Sequence, residues 1–76
     1  MGGVSKTGNL IHDAAVSVAE GVRQVAVAAA GASQSAVTAA EVTYWRARKA
    51  SALANNLQGE AGNATVVLRA LGTGGN

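Results

Sequence analysis

The sequence predicts an all-α chain, one long helix or a helical hairpin followed by a short C-terminal helix, packed into a helical assembly. Three observations lead there. Proline is absent, so nothing in the chain forces a helix to break. Ile11, Ala15, Val18, Val22, Val25, Ala29, Ala32, Ala36 and Ala39 follow one another in steps of four and three, which places them on a single helical stripe. The apolar 49% of the chain is mostly Ala and Val, with Tyr44 and Trp45 as the only rings, so an isolated core would be meagre.

The elements follow in order along one domain, residues 1–76. Residues 1–8 read as a flexible arm, because Gly2, Gly3 and Gly8 bracket a polar stretch with no apolar period. Asn9 is placed to cap the first helix, and Asp13 lies early enough to favour the positive end of its dipole. The main helical region is expected over residues 9–58. Within it Gly21, Ala28, Gly31, Ser35 and Ala39 allow another helix backbone to approach closely. Gly31 opens the stretch Gly-Ala-Ser-Gln-Ser, where a turn would convert one long helix into a hairpin; both forms fit the spacing. A second amphipathic run over residues 37–57 carries Val42, Trp45, Leu53 and Leu57.

Asn55, Asn56 and Gly59 supply stop signals, and residues 59–62 read as a loop. Asn63 then caps a short helix within residues 63–71, in which Ala64, Val67, Leu68 and Leu71 share a face. Thr65, Val66, Val67 and Leu68 are also good strand formers, so helix is preferred there without strand being eliminated. The tail, residues 72–76, holds three glycines and is expected to be flexible.

Composition narrows the function. With 76 residues, one domain is the limit, and a chain of that length buries only about 60% of the surface it exposes when unfolded. Disulfides and thiolate metal sites are ruled out by the absence of Cys, and His12 is the only imidazole. Asp13, Glu20, Glu41 and Glu60 are the only side-chain carboxylates, too few and too scattered for general acid–base work. No catalytic residue, metal ligand or cofactor-binding residue is therefore assigned, and the chain is not expected to be an enzyme. Charged residues make up 13%, about half the share usual for a globular domain, which suits a surface covered by neighbouring chains. Association is the remaining route to stability.

Other signals are weaker. Arg46, Arg48 and Lys49 beside Tyr44 and Trp45 have the residue types of a single-strand nucleic-acid site. Three cations fall short of a phosphate footprint, so a nucleic-acid partner is not expected, and the cluster is assigned to solvent or to a channel wall. The uncharged residues 24–40 are too short and too polar for a transmembrane segment. Residues 23–32 have the small-residue look of a leader cleavage site but lie far from Met1. The tripeptide Asn63-Ala64-Thr65 matches a glycosylation acceptor, and Lys6 stands where N-myristoylation wants Ser or Thr.

The bracketed arm of residues 1–8, the Ala/Val stripe from Ile11 to Ala39 and the helix through Leu57 together resemble the pilins and needle subunits of type III secretion systems of plant-associated bacteria. The resemblance rests on composition and helix layout over most of the chain, with no diagnostic motif. It implies a homopolymeric, extracellular cell-surface filament, exported without a cleaved signal peptide, with unfolded secreted protein as cargo in its bore. Two features depart from that family: the proline-containing turn between helices is missing, and the chain ends in Gly-Thr-Gly-Gly-Asn rather than in a helix. Filamentous phage coat proteins share the small-residue packing but carry a membrane-spanning core.

The expected self-assembly interface comprises Ile11, Val18, Val22, Val25, Ala29 and Ala36, with Trp45, Leu53 and Leu57 anchoring neighbouring subunits. The competing expectation is a helical module that binds nucleic acid or a membrane surface through Trp45 and its basic neighbours.

Overall fold

The computed structural model describes residues 7–76. It holds three helices, α1 (Leu10–Ala30), α2 (Gln34–Ala54) and α3 (Gln58–Ala70), and no strand among the described residues. The C-terminal element is thus helical, as its apolar face predicts, despite its strand-forming side chains.

Asn9 caps α1 through its side chain, whose Oδ1 accepts from the His12 amide at 2.9 Å. Most of the arm expected over residues 1–8 lies outside the described residues. Its end is tied down: Thr7 donates its amide and its hydroxyl to the Asp13 carboxylate at 2.9–3.2 Å.

The chain takes the hairpin form. Helix α1 stops at Gly31, whose φ of 59° and ψ of −124° suit a residue without Cβ. The Ser33 amide closes the turn onto the Ala30 carbonyl, and the Ser33 hydroxyl caps α2 by accepting from the Ala36 amide.

Helix α2 ends in a Schellman arrangement with Asn56 at φ 59° in the left-handed position. The Leu57 amide donates to the Ala52 carbonyl at 2.8 Å, and the Asn56 amide to that of Leu53 at 3.2 Å. Leu57 is then already the N-cap of α3. The reversal is complete in three residues, so residues 59–62, expected as a loop, form the first turns of α3, and Asn63 lies inside the helix rather than at its start. The main helical region accordingly breaks twice, after Ala30 and after Ala54.

The same Schellman geometry closes α3. Thr73 donates its amide to the Leu68 carbonyl, and Gly72 donates to that of Arg69. The tail expected to be flexible folds back instead. Gly75 is buried, with Lys49 Nζ donating to its carbonyl at 2.6 Å, and a side chain there would meet Thr65 Cγ2 at 3.0 Å.

Helices α1 and α3 both pack on α2, and among the described residues they do not pack on each other. Only α2 is covered on two sides. The radius of gyration, 12.3 Å, exceeds the roughly 11 Å of a compact domain of this size, in keeping with that open layout. The buried apolar side chains are few and mostly small: Val16, Ala40, Tyr44, Ala52, Ala61, Ala64 and Leu68.

Candidate interaction surface

Helix α1 packs on α2 through a row that the apolar period did not single out. Its sheltered positions include His12, Val16, Ala19, Arg23, Ala26 and Ala30, each one residue beyond a member of the predicted stripe. One residue is about 100° of helical rotation. Charged and polar groups therefore face the partner helix, and the valine row faces out.

The inward polar row is held by specific partners. Arg23 lies with its guanidinium carbon 3.8 Å from the Tyr44 ring centroid, donates to Glu41 Oε1 at 3.1 Å, and is bonded to Glu20 on its own helix. The Arg23 hydrogen bond holds the Glu20 carboxyl below its ordinary value, against desolvation, which acts to raise it. At the other end of α1, His12 Nδ1 is 2.8 Å from Ser51 Oγ on α2, and its Nε2 is 3.9 Å from Glu60 Oε1 on α3. Arg48 Nη2 donates to the same Glu60 oxygen at 3.3 Å. His12 thus bonds α1 to α2 through Nδ1, while its buried Nε2 faces α3 without a hydrogen bond.

Ser51, His12 and Glu60 have the residue types of a hydrolytic triad. The imidazole is only 1% exposed, however, and neither apolar groove is lined by His12 or Ser51. The cluster has the geometry of an interhelical clasp.

The outward face is the expected assembly seam. Ile11, Val18, Val22 and Val25 are 73%, 69%, 57% and 71% exposed, and Ala29 is exposed with them. Val18, Val22 and Ala36 line an apolar groove of about 520 Å³ between α1 and α2, floored by Tyr44. Val25 and Ala29 border a second depression on α1, which Gly21 also lines. No charged side chain of α1 is fully exposed, because Asp13, Glu20 and Arg23 are buried or half-buried and engaged within the chain.

The three expected anchors differ in setting. Leu53 is 54% exposed, whereas Trp45 and Leu57 are half-buried. Trp45 packs edge-on against Tyr44 at 5.3 Å between centroids, with Arg48 4.7 Å above it. Of the basic cluster, Arg46 is exposed and donates to the Asn76 carbonyl at 2.9 Å. Arg48 and Lys49 are half-buried, Arg48 donating to the Tyr44 hydroxyl and Glu60, and Lys49 to the tail. The cluster expected to face solvent or a channel thus ties α2 to α3 and to the tail.

The sequence reading passed over Val66, 62% exposed on α3, and Gly59 and Gly62 beside it. Both glycines precede an apolar helical face, but in sequence alone glycine also marks a loop.

Among the described residues, no three His, Asp or Glu side chains come close enough to hold a metal ion, and no helix is long and apolar enough to cross a membrane. No family model matches the chain, and comparison with curated proteins and with solved structures finds no match.

Proposed function

We propose that the protein is the structural subunit of a self-assembling helical filament, a pilus- or needle-like tube of the kind its composition resembles. Its function lies in the assembled surface and bore rather than in a catalytic site. One observation carries this: α1 directs its charged row inward and leaves Val18, Val22 and Val25 in water. Fully burying such a side chain contributes about 1.5–3 kcal/mol relative to leaving it exposed, and this chain forgoes that gain while unassembled. The uncharged character of the face supports the same reading, because a neighbour can cover it without stripping water from a charge. In the filament this face is the seam, the surface is extracellular, and unfolded secreted protein is the cargo of the bore.

The test is Val22→Asp. The position is more than half exposed, so the isolated subunit keeps its helical circular dichroism. Negative-stain electron microscopy is expected to show filaments for the wild-type chain and none for the variant. Filaments of normal abundance from Val22→Asp would refute the seam.

A further inference from the structure

The cations of the chain divide into two sets. Arg23 is paired with Glu20 and Glu41, and Arg48 with Glu60, while Asp13 is held by Thr7. Every side-chain carboxylate of the sequence is thereby engaged, and Arg46, Lys49 and Arg69 have no acidic partner among the described residues.

These three converge on one place. Arg46 and Lys49 are three apart on α2 and so share a face. Lys49 Nζ donates to the Gly75 carbonyl at 2.6 Å, and Arg46 Nε to the Asn76 carbonyl at 2.9 Å. Arg69 reaches the same segment from α3. Its Nε lies 3.4 Å from the point that a Cβ on Gly75 would occupy, and its guanidinium has no hydrogen-bond partner among the described residues. Cations drawn together repel, and two neutral carbonyl oxygens offset that repulsion only in part. The tail carbonyls therefore stand where the oxygens of an anion would go.

We propose that Arg46, Lys49 and Arg69 form a binding site for a phosphoryl group, which takes the place of Gly75 and Asn76. A phosphoryl group brings three strong acceptor oxygens and a charge of about −1.5 to −2, matching three cationic donors that approach from two helices. A carboxylate offers only two oxygens in one plane. One phosphoryl group needs no more than these three cations, unlike a nucleic-acid strand, which needs about six or more contacts. Access is open, because Arg46, Arg69 and Asn76 are exposed. The exchange is favoured on both sides. An ionised acceptor bonds to a cation about twice as strongly as a neutral one, and the released tail regains the large conformational freedom of Gly72, Gly74 and Gly75. The site belongs to the single subunit and does not depend on the filament reading.

Inorganic pyrophosphate is the free probe, titrated into the dilute full chain at low ionic strength and followed by NMR. Saturable binding that shifts the amides of residues 72–76 is expected, and Arg69→Gln is expected to weaken it about tenfold. Arg69 bonds to nothing within the described chain, so that variant keeps the wild-type melting temperature while losing affinity. Gly75→Ala loosens the tail, since its Cβ would meet Thr65 Cγ2 at 3.0 Å, and is expected to bind the probe more tightly. Sedimentation with vesicles of phosphatidylcholine and phosphatidylglycerol separates the sources of the group: pelleting that pyrophosphate reverses names a lipid headgroup, and no pelleting names a free phosphate. Absence of saturable pyrophosphate binding by both wild type and Gly75→Ala, or affinity unchanged in Arg69→Gln, would overturn the site.

Discussion

Arg23 determines which side of α1 meets α2. Its guanidinium stacks on Tyr44, bonds to Glu41 across the helix pair and to Glu20 on its own helix, and so draws a charged row into the interface. Nothing in the spacing of α1 alone reveals this, because Tyr44 and Glu41 belong to another helix; the valine row was legible, the inward charged row was not. The Glu20 contact gives a pH dependence of definite sign. Its carboxyl is held below 4.5 in the folded chain, so the stability it contributes is fully present above that pH and is lost as the pH falls through the lowered value. Thermal melts between pH 7 and pH 3 are expected to show this loss, and Glu20→Gln to flatten that part of the profile. Leu68 tests the small core directly. It is fully buried, and Leu68→Ala is expected to cost about 2–5 kcal/mol in denaturant unfolding, a large share of what so small a domain has.

The elements begin and end at capping and turn residues, glycine at two of the three C-termini and Asn56 at the other. Asn9 and Ser33 act as caps through their side chains, and Gly31 breaks the long helix because its φ/ψ pair excludes a Cβ. Those features were legible as local signals, the Gly31 turn only as one of two forms. The start of α3 was not, because Asn56 finishes the reversal alone and α3 can begin at Gln58. Packing of Ala61, Ala64 and Leu68 on α2 then holds Gly59 and Gly62 in a helix that their propensity disfavours. Asn56→Val places a branched side chain in the left-handed region and is expected to lower stability by about 1–2 kcal/mol, whereas Asn56→Gly retains it; thermal melts followed by circular dichroism distinguish them. The tail departs from expectation for a tertiary reason as well, since Lys49 and Arg46 reach it from α2.

At the scale of the whole molecule the controlling quantity is the supply of apolar side chains. Two outer helices that pack only on α2 leave one face each without a helix against it within the chain, and the sequence shows why: Ala and Val cannot fill a second layer from 76 residues. The smallness of the core was legible in composition. The arrangement that expresses it depends on contacts between helices, which no local pattern encodes. In the proposed filament self-association would stabilise the folded subunit by mass action, and the melting temperature is expected to rise with concentration. Sedimentation velocity of the wild-type chain across the micromolar range tests self-assembly most directly. Large species that grow with concentration are the predicted result; a single compact monomer that sediments unchanged, and melts cooperatively at the same temperature throughout, would contradict it.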